Sequence, residues 1–178
     1  MAEQLSLELA ERLEGLDGPI TVLKLEFSSS RFDSDSLRQV QSLCHQINQS
    51  LGRLLYLSMS LPVELQDRLS RSTGVLDQRS VGDIMAVLGV VAHAIKTGDP
   101  LPEMLPTPLV KRCREHWRTH HGQLPQLEAE DMRNADYRRF CVAMNSYLKF
   151  LAAVDDLVMV VKRAVGEGHI VHRENWMV

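Results

Sequence analysis

Leu37, Val40, Cys44, Ile47, Leu51 and Leu54 recur along the chain at intervals of three and four. That rhythm predicts a helix whose apolar stripe packs lengthwise on another helix, capped by Asp33 or Ser34 and weakened only at Gly52. A second stripe is longer. Phe140, Met144, Tyr147, Leu151, Val154, Val158, Val161 and Val165 keep the same spacing, and Gly166 and Gly168 follow as stops. Counted from near Asp131, this predicts a helix of roughly 35 residues and about 50 Å.

Shorter elements are expected between and before these two. Glu3 to Glu14 reads as a short amphipathic helix with Leu5, Leu9, Leu13 and Leu16 on one side, ended by Gly15 to Pro19. "ITVLKLEFSSSRF", residues 20 to 32, alternates for a few positions and leaves a short strand open, although no partner strand is evident. Ser60-Leu61-Pro62 restarts the chain as a helix to about Thr73, stopped by Gly74. Ser80-Val81-Gly82-Asp83 resembles a capping box, and the apolar run "IMAVLGVVAHAI" follows it. Ile84, Met85, Val87, Leu88, Val91 and Ile95 cover most of that helix, so a central, buried position is expected.

Thr97-Gly98-Asp99-Pro100 ends it, and "KTGDPLPEMLPTPL" follows as a proline-punctuated strap. Prolines lack a backbone donor and favour an extended path, so the strap is expected to lay Leu101, Met104 and Leu105 onto apolar helix surface. A clamp between two helices is the favoured role; a docking groove for another chain is the sharper alternative. Thr107-Pro108 then reads as cap and first turn of a helix reaching about His121. Together the elements predict an all-α, elongated helical bundle. It has two long helices, shorter connecting helices and the strap, organised as an arm or linker (residues 1–19), a bundle (20–166) and a tail (167–178).

Composition narrows the function. A chain of 178 residues with 44% hydrophobic and 24% charged residues is long enough to bury a core. A formal net charge of −3 gives no overall basic field, and nucleic acid is not an expected partner. Cys44, Cys113 and Cys141 lie on apolar stripes without CxxC spacing, as expected of reduced, packed thiols in a cytosolic setting. The acidic N-terminus offers no export signal, and the apolar run 84–95, about 18 Å as a helix, falls short of the roughly 30 Å of a bilayer core.

Candidate chemistry is sparse. Cys113, His116 and His120 reach one helix face at ligand spacing, but no second paired set accompanies them, and solvated histidines beside a buried thiol are favoured over zinc. His169 and His172 form a weaker pair. Lys111, Arg114 and Arg118 share one side of the same helix, near Trp117, with Arg112, Arg138 and Arg139 elsewhere. A solvated face is the default reading, and contact with an anionic membrane surface the functional one. Glu128, Glu130 and Asp131 suit the N-terminal dipole of the long helix. Asp155, at the edge of the long stripe, is expected to pair with an arginine from another helix. No nucleophile elbow or phosphate-cradling loop is present, so neither an enzyme nor a cofactor is expected.

"LKLEFSSSRFDSDSLRQVQSLCHQINQSLGRLLYL" followed by "AVLGVVAHAIKTGDPLPEMLPTPL" resembles the fungal domain of unknown function related to brefeldin A sensitivity. The resemblance runs from about Ile20 to Val165. Thr97, Gly98, Pro100, Leu101, Pro102, Pro106 and Leu109 match its most specific motif. In that family the domain forms the C-terminal cytosolic part of transporter-like proteins similar to aromatic acid exporters and fusaric acid resistance proteins. The resemblance therefore implies a non-catalytic helical domain on the cytosolic face of the endoplasmic reticulum or plasma membrane. Its partners would be a transmembrane region or the membrane surface, and its role assembly or regulation. Transmembrane helices are not expected in this chain, so transport does not carry over to it alone. The rival expectation is a free cytoplasmic scaffold that binds helices, or a second copy, through the strap or the long seam.

Overall fold

A computed structural model describes residues 2–23, 32–121 and 133–168. The fold is an all-α bundle with a minor two-strand sheet. Its elements are α1 (Ala2–Glu14), α2 (Asp17–Leu23), α3 (Ser34–Ser60), α4 (Val63–Thr73), α5 (Gln78–Thr97), β1 (Leu101–Pro102), α6 (Leu109–His121), α7 (Ala135–Val165) and β2 (Glu167–Gly168).

α7 is the axis. Its 31 residues span about 46 Å. All eight stripe positions from Phe140 to Val165 are buried, and Ala143, Phe150, Ala153, Leu157 and Val160 are buried with them. A helix covered on so many sides needs neighbours all round. α3 runs antiparallel along it: Gln39 reaches Arg163 at one end, while Gln46 to Arg53 line a groove with Ser146 to Asp156 further along. Asp33 caps α3 by accepting a 2.8 Å hydrogen bond from the Ser36 amide, and Asn134 caps α7 through the amides of Asp136 and Tyr137. α4 crosses near the start of α7, with the Arg68 guanidinium 5.4 Å from the Phe140 ring centre and 5.9 Å from that of Tyr137.

α1 and α2 lie on the outside of α3, held by polar contacts. The Gln41 amide donates to the Leu13 carbonyl at 2.6 Å and to the Asp17 carboxylate at 2.8 Å. Asn48 and Ser6 exchange hydrogen bonds at 2.8 and 2.9 Å. Leu13 and Ile20 are the buried anchors; Leu5, Leu9 and Leu16 of the expected apolar side are exposed. No strand begins at residue 20. Ile20 to Leu23 belong to α2, where Pro19 fits the first turn, and residues 24–31 lie outside the described part.

Two further expectations are corrected. α5 starts at Gln78 rather than after Ser80, because Asp77 takes the cap and accepts from the Ser80 amide at 2.9 Å. Asp83, freed from capping, pairs instead with Arg112 of α6. More consequentially, α5 is not central. Only Val87, Val91 and Ala94 are fully buried, on the side facing α7, with Ile84, Leu88, Val90 and Ile95 packed partly buried beside them.

Candidate functional site

The strap closes the end of the bundle where α7 finishes. Gly98 makes the exit possible: it adopts φ 75°, a left-handed conformation that a β-carbon penalises, and its amide donates to the Ala94 carbonyl at 2.8 Å. The Thr97 hydroxyl donates to the His93 carbonyl and accepts from the Asp99 amide, fixing the turn. Pro100 is exposed, and Leu101 then plunges into the core with no exposed surface. Its amide donates to the Gly166 carbonyl at 3.1 Å, and β1 pairs in parallel with β2, Leu101 opposite Glu167 and Pro102 opposite Gly168. Lys162 ties the two segments, bonding the Glu103 carbonyl at 3.4 Å and the Glu167 carboxylate at 2.8 Å.

Leu105 packs on the core, Pro106 is half-buried and Leu109 is buried. Met104 departs from expectation: it is 83% exposed. The chain bends at Glu103 after the short strand, and Met104 faces solvent there before Leu105 turns back to the core. These contacts seat the strap as an internal clamp, with Met104 its one large apolar side chain turned to solvent.

Asp155 is the centre of that clamp, and among the described residues it pairs with no arginine. Its two carboxylate oxygens accept the amides of Leu109 at 2.7 Å and Val110 at 3.1 Å. These are orphan donors of the first turn of α6, so a side chain of α7 caps a helix more than forty residues earlier in the chain. Thr107, expected as the cap, is replaced in that role by Asp155, which takes both amides. Burial pushes the Asp155 carboxyl above its ordinary range, against the lowering effect of the two amides, with the Asp156 charge adding to the rise.

Two of the possible zinc ligands take other partners. The Cys113 thiol is buried and contacts the Thr73 carbonyl at 3.6 Å, and burial raises its pKa, so it is held protonated. His116 turns to the end of α4, its Nε2 3.2 Å from the Arg71 carbonyl. The same ring lies 3.2 Å from where a β-carbon on Gly74 would sit, and Gly74 itself holds φ 65°. The side chain of His120 lies outside the described residues, as do His169, His172, Glu128, Glu130 and Asp131. Among the described residues no three metal-binding side chains converge.

Lys111, Arg114 and Arg118 do share one exposed face of α6, beside Pro108, Val110 and Glu115, along a shallow open cleft. Lys111 lies 3.9 Å from Glu115; Arg112 faces away, toward Asp83. Arg138 is exposed, and Arg139 pairs with Asp136 on α7. A small cleft of about 20 Å³, partly open to solvent, lies between α4, α5, α6 and α7, bordered by Thr73, Asp83, Arg112, Cys113 and Tyr147. One water-sized sphere fits such a space. Burial raises the Tyr147 phenol well above its ordinary value, so it stays protonated. The Cys113 thiol and the Tyr147 phenol on this border are therefore both protonated, and Asp83 is paired with Arg112.

The sequence reasoning missed the exposed side of α5. Val81, Met85 and Ala92 face solvent there with Gly82, Ala86 and Gly89, and no atom comes within 4 Å of a β-carbon placed on either glycine. By length and composition α5 also passes as a membrane span.

Together these features define an α-helical domain whose strap is fixed against the end of α7 and whose α5 is covered on one side. The chain belongs to the family of the brefeldin A-sensitivity protein 4-like domain, which it matches over residues 1–169. It is 28% identical over 180 residues to an uncharacterized protein of Schizosaccharomyces pombe, C57A7.05. That alignment covers 90% of this chain and 13% of the relative, so the chain spans about an eighth of the relative's length. No solved structure matches it.

Proposed function

We propose that this chain is a non-catalytic assembly domain of an exporter-like membrane protein, packing on the cytosolic side against the transmembrane part of its host. The observation that carries the reading is α5: a 20-residue apolar helix that the bundle covers on one side only. Apolar surface of that extent stays stable in a protein when something else covers it. The domain family and the 13% coverage of the S. pombe relative support a module that works beside much more chain than its own. The Lys111, Arg114 and Arg118 face of α6 suits an anionic membrane surface nearby.

Cell fractionation tests the host. The full chain, tagged and expressed in a fungal cell, should sediment with membranes and bring down a transmembrane partner. A wholly soluble chain with no transmembrane partner would refute the membrane host. That outcome would favour the second reading, a cytoplasmic scaffold, which the open face of α5 also supports. The strap is the weaker docking candidate for a scaffold, since Leu101 and Leu105 are turned inward.

A further inference from the structure

The solvent side of α5 carries a seam of its own. Gln78, Gly82, Met85, Gly89, Ala92 and Lys96 are all exposed, and they recur at intervals of four and three, the spacing at which one helix lies along another. Met85 is 64% exposed, and no atom comes within 4 Å of a β-carbon placed on Gly82 or Gly89, so the seam sets one large apolar side chain between open hollows. Val81, Leu88 and Ile95 run along one edge, Val81 exposed and the other two partly buried. Arg79, Ala86 and His93 run along the other. A lipid surface would favour another design. Helices that lie in a membrane interface carry Trp, Phe and Leu on the apolar face, and α5 has no aromatic residue at all.

Laid antiparallel on a second copy, this seam meets itself in register. Met85 falls on Gly89 of the second copy, Gly82 on Ala92 and Gln78 on Lys96, and a two-fold axis repeats each contact with the roles exchanged. Met85 thus always faces a glycine, and the small positions admit the helix axes to about 8 Å, the near limit for packed helices. On the edges Val81 meets Ile95, Leu88 meets Leu88, and Arg79 meets His93. The charges agree with the same register. Exposed Asp77 and Arg79 stand at one end of α5, exposed Lys96 and Asp99 at the other. Asp99 lies 3.5 Å from the His93 ring, so Arg79, arriving opposite His93 of the second copy, comes to Asp99 as well. Lys96, arriving on Gln78, comes to the neighbouring Asp77. Each end of the pair then sets two cations against two acids. A parallel pair would instead put Met85 on Met85, Gly89 on Gly89 and Lys96 on Lys96.

We infer that α5 is where two copies of this chain pair, antiparallel about a two-fold axis level with Val87. The pairing rests on the reading of the chain as an assembly domain and names the partner that covers α5; it does not require the membrane host. With α5 taken by a second copy, contact with a host's transmembrane part falls to other faces of the bundle, among them the cationic side of α6. A single helix pair with one large apolar side chain per seam should bury less than the roughly 1,200 Å² of a standard interface, so dilute chain stays monomeric. Confinement of hosts to a membrane raises the effective concentration of the domain and completes the pair.

Sedimentation velocity of the full chain from about 1 μM to about 1 mM should show a monomer–dimer equilibrium with a dissociation constant of roughly 10–300 μM. Gly89→Leu should weaken it about tenfold or more, because the added side chain collides with Met85 of the second copy. Nothing in the folded chain opposes that side chain, and replacing an interior helical glycine should hold or raise the melting temperature, so lost folding does not explain a lost dimer. Charge reversal reads the register. Arg79→Glu and Asp99→Arg should each weaken the dimer roughly two- to fivefold, and the chain carrying both should regain most of that loss, since opposite charges again meet across the axis. A parallel pair, which sets Arg79 on Arg79, predicts no such recovery. Three results would each overturn self-pairing: a chain still monomeric at about 1 mM, a dimer that Gly89→Leu leaves intact, or a doubly reversed chain that pairs no better than either single variant. A dimer formed by a chain that is soluble in cells removes the membrane host and keeps the pairing. Membrane sedimentation of a chain that is monomeric at every concentration does the reverse.

Discussion

Replacing Asp155 with alanine probes the clamp at its narrowest point. The substitution removes the acceptors of the Leu109 and Val110 amides, which are part-buried and have no substitute in the first turn of α6. Loss of a side-chain helix cap costs about 1 kcal/mol, and leaving a buried donor without a partner about 1–3 kcal/mol. Against this, the raised pKa of Asp155 means that burying its charge already opposes folding, an effect that alanine relieves. The net destabilisation should be about 1–2 kcal/mol, or about 2–8 °C in melting temperature for a chain of this size. Asp155→Asn keeps one acceptor without the charge and should lie within about 1 kcal/mol of the wild type.

The pH dependence separates the two contributions. A carboxyl whose folded pKa lies above its unfolded value holds more protons in the folded state across the interval between them. Its contribution to stability is therefore full below the ordinary value of 3.8 and falls as pH rises through the folded value. Wild type minus Asp155→Asn should accordingly decline across that window, while Asp33 and Asp77, whose pKa values are lowered, cancel because both proteins carry them. Urea titrations followed by circular dichroism between pH 3.5 and 7, roughly the range that spans the ordinary carboxyl values, supply the difference. Amide exchange at Leu109 and Val110 supplies the local readout. An Asp155→Ala protein with unchanged stability and unchanged protection of those two amides would refute the cap.

Other substitutions test the remaining contacts. Leu101→Ala should destabilise by about 2–5 kcal/mol, whereas Met104→Ala should leave the urea midpoint nearly unchanged; equal effects would deny that Leu101 is the strap's buried anchor. Gly74→Ala should cost more than 1 kcal/mol by thermal melting, since it meets both the left-handed backbone and the His116 ring. His116→Ala in the same background should recover the steric part alone. Gln41→Ala should speed amide exchange and proteolysis in residues 2–23 while leaving α7 protected, because Gln41 pins the α1–α2 corner to α3.

Much of this architecture is legible in the spacing of apolar residues. The stripe from Phe140 to Val165 predicts the buried line of α7 position by position, and Gly74 and Gly98 mark helix ends for the reason their positive φ values make plain. The same reasoning understates α7, since a two-position seam cannot foresee that Ala143, Ala153 and Val160 are buried as well. It overstates α5 for a related cause: an all-round apolar helix reads as buried whether or not the fold supplies a neighbour on each side. Asp155 shows a different limit. Its donors lie 45 and 46 positions away, and a tertiary cap leaves no local signature of the kind that Asp33 leaves with Ser36. Ser80 and Asp77 compete as caps three residues apart; Asp77 takes the cap by accepting from the Ser80 amide, and Asp83 pairs with Arg112 of α6, a partner that local spacing does not reveal.

The claim that α5 is an assembly surface is tested most directly by a cysteine at Ala92 on its open side, in a chain whose exposed Cys141 is replaced by serine. Maleimide should label that thiol rapidly in the purified protein and slowly inside the native cell, and Gly89→Leu should restore rapid labelling in the cell. Equal labelling in both settings would mean that nothing covers α5 and would contradict the account.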